Sequence, residues 1–376
     1  MTSAYILLTC RIGSFHTYES MDLRGTCGHN DPLQSLKNTS KVLSTLPNLA
    51  ANVKRLWFGV LLFPDNDRFV LDAMSSCPNL RNVTLPWTAL RCFGADGWNR
   101  IFSKTQLKSL ELATIEFPSY AQLPNEDVDH GDLSLVDFSQ LRRLKIFGNP
   151  TWMPVVDEDL FAIARTATQL EEFYLTCNST ITIAGVFSIV KAAQRTLRVL
   201  EHSPRARDGF DHPHPGQLPD NEHICEILTS CPKLRDLSVS IPSMCSTLFS
   251  NPDVKWEGDC QVRALNICEH SKGDKTTNQA LRQLLNQARE LAASPRRRGL
   301  DELRMELFFA EFIFDPHIRA VHGDFTWYKE ISGDSWPAMS QSLKGPYGAT
   351  GWYGKEEGPF DLMDEGAFLE RVPVLE

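Results

Sequence analysis

No stretch of the 376-residue chain approaches the roughly 20 consecutive apolar residues of a membrane-crossing helix, so no helical span is expected. The apolar run AYILL, at 4–8, is too short for a secretory leader and has no basic residue before it. Basic residues do not dominate: 38 Lys and Arg against 47 Asp and Glu leave a formal charge of −9, which argues against nucleic acid as the main partner. The one basic run, RRR at 296–298, follows a helix-like stretch and reads as a solvated loop. Dinucleotide, Walker, HExxH and GxSxG motifs are absent, which leaves no cofactor to expect and points away from an enzyme. GPYGATGWYG, at 345–354, has glycine every third residue, but no helix-forming run comes after it. It reads as a flexible aromatic tail rather than a phosphate cradle.

The ten cysteines form no CxxC and no metal-finger spacing. Several sit inside apolar stretches, so they read as reduced core residues of an intracellular, cytoplasmic or nuclear protein. Of the three Asn-x-Ser/Thr sequons, at Asn38, Asn82 and Asn178, the last two fall in or beside expected strands and read as chance.

What the chain does have is a phrase said twice. SSCPNLRNVTL at 75–85 returns as TSCPKLRDLSV at 229–239, and both carry apolar residues in the pattern LxxLxL. Further copies are VKRLWF, LKSLEL, LRRLKI, LEEFYL and VRALNI, with degraded ones in LRVLEH and LDELRM. Their first positions fall at 53, 80, 107, 141, 170, 197, 234, 262 and 300, a spacing near 30 residues over most of the chain. Such a period marks stacked copies of one structural unit, and this pattern marks a short strand lining a horseshoe. Asn149 and Asn178 stand three residues after the last apolar position of their copies, where a side-chain amide supports the next turn.

Parallel strands need crossover connections of about a dozen residues, usually helical. DEDLFAIARTATQL at 157–170 fits, with Leu160, Phe161, Ile163 and Ala164 on one side, and so does NQALRQLLNQARELAAS at 278–294. RFVLDAMSSCP and HICEILTSCP are shorter versions ending in Cys-Pro, where proline stops the helix and sends the chain extended. The repeated phrase is thus one helix-to-strand corner used twice, with Cys77 and Cys231 as small buried residues.

Alternation along the strands turns the remaining positions to solvent. They include Arg55, Trp57, Arg143, Lys145, Phe147, Glu172, Tyr174 and Asp236, together with Asn266 and Arg304. Aromatics beside charges have the composition of a protein-binding hot spot, and the later copies turn acidic. The expected ligand is a protein or extended peptide on the concave face.

The copies SSCPNLRNVTL, TSCPKLRDLSV and NLAANVKRLWF, with the tail FTWYKEISGDSWP, resemble the leucine-rich-repeat regions of fungal F-box proteins over roughly residues 40–315. The resemblance implies an α/β leucine-rich-repeat solenoid, a horseshoe with a parallel sheet on the concave face and helices on the convex face. It also implies a non-catalytic scaffold that holds the substrate of a cullin ubiquitin ligase. The F-box that would bind the Skp adaptor starts with Leu-Pro and then has spaced apolar helix positions; residues 1–50 show none, because LPNLA at 46–50 runs straight into the first repeat strand. Either the module is absent or the chain begins inside a longer product, and Skp and cullin are partners only if an F-box lies upstream. Residues 1–50 read as an N-terminal cap, with a helix through Leu33, Leu36, Val42, Leu43 and Leu46; 51–315 as the solenoid; and 316–376 as a C-terminal cap with an acidic, partly flexible tail. LFFAEFIF at 307–314 is the expected last strand.

Two other functions stay open. His202, His212, His214 and His223, with Asp208, Asp211 and Asp220, supply zinc-ligand chemistry for a metal-dependent hydrolase, although four prolines make the segment read as an exposed loop. A structural repeat scaffold without a defined partner is the other.

Overall fold

Alternation of burial along the repeat strands organises the molecule. In the computed structural model the described residues are 9–10, 32–58, 67–113, 133–147, 155–176, 181–203, 223–245, 248–251, 254, 256, 260–268, 283, 287, 290, 303–310 and 320–327. They form two units, Met1–Gly148 with Glu158–Leu170, and Asn149–Asp157 with Glu171–Glu376. No described helix is long and apolar enough to cross a membrane.

The first unit contains β1 (Thr9–Cys10), α1 (Pro32–Thr45), α2 (Pro47–Ala50), β2 (Arg55–Phe58), α3 (Asp67–Ser75), β3 (Asn82–Pro86), α4 (Ala89–Cys92), α5 (Gly94–Lys104), β4 (Ser109–Ala113), a 3₁₀ turn at Leu133–Leu135, β5 (Arg143–Phe147) and most of α6 (Asp157–Ala164). Its strands pair in chain order, all parallel. The second unit contains β6 (Glu172–Thr176), α7 (Ile183–Ala192), β7 (Val199–Ser203), α8 (Ile224–Ser230), β8 (Asp236–Cys245), β9 (Cys260–Cys268), β10 (Leu303–Ala310) and β11 (Ala320–Trp327). Strands β6 to β10 are parallel; β11 runs antiparallel to β10. Each unit is therefore α/β, a parallel sheet with helices in its crossovers, as a leucine-rich-repeat solenoid requires.

The three apolar positions of the intact copies among the first seven are buried without exception, from Val53, Leu56 and Phe58 through to Leu234, Leu237 and Val239. Each such side chain contributes about 1.5–3 kcal/mol. In the degraded copy His202 keeps the pattern too: it is wholly buried and lies in register with Leu175 and Val239. In the first unit Trp98 fills the crossover layer, its ring 5.2 Å from Phe93, 6.1 Å from Phe102 and 6.4 Å from Phe138.

Several expectations are corrected. Helix α1 buries Leu36 and Leu43, whose spacing of seven brings one stripe inward and leaves Val42 exposed; the helix ends at Thr45, and Leu46 beyond it is exposed. Helix α6 stops at Ala164 and leaves Phe161 exposed. The eighth copy is out of phase: the register sets Cys260 beside Leu237 and Val262 beside Val239, so Leu265 has the opposite parity to Val262 and Asn266 shares the parity of the core positions. The ninth is in phase, with Leu303 beside Cys260 and Met305 beside Val262. The strand expected at 307–314 starts earlier, since β10 begins at Leu303; 311–314 lie outside the described residues, as do 328–376. Of the expected helix at 278–294, Gln283, Gln287 and Glu290 are described, and all three are helical.

Candidate functional site

The register places the expected solvent-facing residues of the first unit in lateral rows. Arg55, Asn82, Ser109 and Arg143 form one row, and Trp57, Thr84, Glu111 and Lys145 the next. Phe147 lies one row further, beside Ala113. At about 4.8 Å per strand, Arg55 and Arg143 stand roughly 14 Å apart on the same face. Trp57 is 39% exposed and Phe147 46%, unusual for large apolar rings, while Lys145 Nζ reaches Glu111 Oε1 at 3.7 Å. Arg55, Trp57, Arg143, Lys145 and Phe147 therefore share one surface.

Glu172, Tyr174 and Asp236 belong to the second unit. Glu172 and Asp236 flank Val199 in one row, and Tyr174 aligns with Glu201 and Ser238 in the next. Tyr174 Oη donates to Glu172 Oε2 at 3.0 Å, so the tyrosine is held by a neighbour on its own strand. Glu172, Tyr174 and Asp236 are all half-buried, Asp236 beside the exposed Arg235.

A second basic row in the first unit escaped the sequence reading. The carbonyl of Lys54 accepts from the N–H groups of both Arg81 and Asn82 at 2.9 and 3.1 Å. Arg81 does the same for Lys108 and Ser109, and Lys108 for Arg142 and Arg143. Lys54, Arg81, Lys108 and Arg142 are thus stacked one strand apart along the edge where the strands begin, the first three exposed. The signal was legible: the residue after the first apolar position is Lys, Arg, Lys, Arg, Glu, Arg, Arg in the first seven copies. In the second unit the series is broken by Glu171, whose Oε2 lies 3.6 Å from Arg198 Nε.

Amides tie neighbouring repeats together at the residue before the first apolar position. Asn79 Nδ2 donates to the Ala51 carbonyl at 2.7 Å, Gln106 Nε2 to Asn79 Oδ1 at 3.4 Å, and Gln140 Nε2 to the Phe102 carbonyl at 3.2 Å. These side chains immediately precede the first apolar residue of their copies. Asn149 and Asn178 lie outside the described residues.

Most of the histidine segment, 204–222, lies outside the described residues. His212 and His214 lie outside them, and His202 is in the core. His223 instead joins two cysteines: His223, Cys225 and Cys245 are all buried, with one donor atom of each within 4.8 Å of the others. His223 Nδ1 accepts from the Cys225 N–H at 3.3 Å and lies 3.0 Å from Cys245 Sγ, and the Cys245 N–H donates to Cys225 Sγ at 3.4 Å. The hydrogen bond with Cys225 and then burial push the Cys245 thiol far above its ordinary range, with His223 pulling the other way. Among the described residues this is the one set that could hold a metal ion.

No family model and no curated protein matches the chain. Among solved structures it is similar to one described as the crystal structure of Rad7 and Elc1 complex in yeast, with 15% identity and a TM-score of 0.34; the match covers 61% of this chain and spans just over half, 57%, of that chain.

Proposed function

We propose that this chain is a non-catalytic protein-recognition scaffold whose repeat strands hold an extended, acidic segment of a partner protein. One observation carries the reading. In the first unit, Lys54, Arg81, Lys108 and Arg142 edge a strand face that also presents Arg55, Arg143, Lys145 and the exposed rings of Trp57 and Phe147. Like charges stacked on adjacent strands destabilise a sheet by a few tenths of a kcal/mol per pair, and an acidic ligand removes that cost. The rings supply contact area with little side-chain entropy to lose, which is why aromatics anchor protein interfaces.

On this reading the strands line the concave side of a horseshoe and the helices its convex side, so a partner segment crosses several repeats at once. The resemblance to the substrate-binding repeats of fungal F-box proteins supplies the class of partner: a protein to be ubiquitinated, with Skp and cullin engaged where an F-box is joined to the chain. The net charge of −9 turns nucleic acid away.

A random-peptide display library selected on the purified chain tests this. Enriched peptides should be acidic with apolar or aromatic residues interspersed, and the triple variant Lys54→Glu, Arg81→Glu, Lys108→Glu should bind them at least about ten-fold more weakly, a loss of roughly 1.4 kcal/mol. Enrichment without an acidic bias, or equal binding to the charge-reversed chain, would sink the proposal. No enrichment at all would favour a structural scaffold. The hydrolase reading has less support, because His202 is wholly buried in the strand core.

A further inference from the structure

We propose that His223, Cys225 and Cys245 are ligands of a zinc ion, and that the metal fastens the end of β8 to the start of α8. The donor set is what zinc selects: one imidazole nitrogen and two sulfurs, all from buried residues, drawn together from two different elements. Tetrahedral zinc with bonds of about 2.0–2.3 Å places its donors about 3.5–3.8 Å apart. The observed set, with His223 Nδ1 and Cys245 Sγ 3.0 Å apart and all donors within 4.8 Å, brackets that spacing.

The surroundings are those of a metal-bound sulfur. The Cys245 N–H donates to Cys225 Sγ at 3.4 Å, the kind of outer hydrogen bond that orients a thiolate ligand. His223 stands at the N-cap of α8, a place usually given to Ser, Thr, Asp or Asn; α7 has Thr182 there. The cap uses the Nδ1 lone pair, which accepts from the Cys225 N–H at 3.3 Å, so zinc binding at Nδ1 exchanges this long hydrogen bond for a metal bond.

Topology places the set beyond the repeat. Strand β8 outruns the repeat: it has ten residues where β3 to β7 have five, and Cys245 is its last. The parallel register pairs Cys245 with Cys268, the last residue of β9. Three zinc-ligand residues therefore meet at the start of one helix and the end of one strand. A search for CxxC misses them, because the spacing is set by the fold: Cys225 and Cys245 are 20 residues apart in the chain.

Cobalt(II) titration of the reduced full-length chain tests the proposal. The expected result is a thiolate-to-cobalt charge-transfer band and tetrahedral visible bands that saturate at one ion per chain and are displaced by one equivalent of zinc. Cys225→Ser and Cys245→Ser should each abolish them, and Cys77→Ala should change nothing. A folded wild-type chain that gives no thiolate–cobalt band overturns the site without recourse to any variant. So does a band that survives Cys225→Ser or Cys245→Ser.

Discussion

The repeated phrase produces nearly the same corner in both units. Cys77 Sγ donates to the Ala73 carbonyl at 3.2 Å and Cys231 Sγ to the Ile227 carbonyl at 3.2 Å, four residues back in each case. The N–H of Leu80 bonds the Cys77 carbonyl, and that of Leu234 the Cys231 carbonyl. Past the corner the two copies diverge. Strand β3 ends at Pro86 and gives way to Trp87 and α4, whereas β8 runs on for five residues beyond the repeat. It does so across Pro242, where the pairing passes from Ile241–Ala264 to Ser243–Asn266, since proline has no N–H to offer. The corner is thus specified locally by eleven residues, while strand length is specified by what lies beyond them. In the second unit that is Cys245 and its buried partners.

If the corners are equivalent, they should fail equally. Leu80 and Leu234 are both fully buried at the first position of the repeated pattern, two residues before the strand. Leu80→Ala and Leu234→Ala should each cost about 2–5 kcal/mol in urea unfolding, by lost transfer energy and the cavity left behind. A difference of more than about 2 kcal/mol between them would show that context, not the phrase, sets the energy.

The same contrast explains what was legible in the sequence. The strands of the first seven copies were, because burial enforces a period of two and each copy carries apolar residues that nothing else explains. The cysteine-proline corner was also legible, as a local signal. The eighth copy misled, since VRALNI satisfies the pattern while the pairing sets Cys260 and Val262, not Leu265 and Ile267, beside Leu237 and Val239. The solvent-facing set in the first unit was readable from alternation, yet the basic row at 54, 81, 108 and 142 was overlooked because it lies outside the apolar motif. The His–Cys set was illegible in principle: Cys225 and Cys245 meet only through the pairing of a helix start with a strand end.

A second test compares one glycine from each unit. A Cβ on Gly185, in α7, would collide with the Asp157 carboxylate, which is fixed by accepting from Thr182 N at 2.8 Å and Thr182 Oγ1 at 2.5 Å. A Cβ on Gly97, in α5, would meet Phe93 Cβ at 3.0 Å and the movable Leu71 side chain at 3.3 Å. Gly185→Ala should therefore cost about 1–3 kcal/mol through overpacking. Gly97→Ala should be close to neutral, since helix propensity returns up to about 1 kcal/mol. In an Asp157→Ala background Gly185→Ala should turn neutral or stabilising; a cost that persists there would mean the obstruction lies elsewhere.

The two corner thiols also make a pH prediction. Burial raises the pKa of Cys77 and of Cys231 from 9.0 to about 12. Between those values the unfolded chain has lost protons that the folded chain retains, so stability is intact below about pH 9 and declines as pH rises toward 12, by up to about 1.4 kcal/mol per pH unit for each thiol. Urea midpoints measured from about pH 8 to about pH 11 should fall, and Cys77→Ala and Cys231→Ala should each flatten the decline by a similar amount. Flattening by only one of them would separate the corners.

The smallest effect distinguishes the two units by sign. Arg81 sits between Lys54 and Lys108 with no acid among the described residues of its row, while Arg198 has Glu171 at 3.6 Å. Arg81→Gln should raise stability by a few tenths of a kcal/mol at low salt by relieving like-charge repulsion. Arg198→Gln should lower it by a similar amount, the usual worth of an exposed ion pair. Both effects should fade at about 1 M salt, where the screening length shrinks to about 3 Å. If Arg81→Gln destabilises instead, the basic row is already neutralised within the chain, and the charge left over for an acidic partner disappears with it.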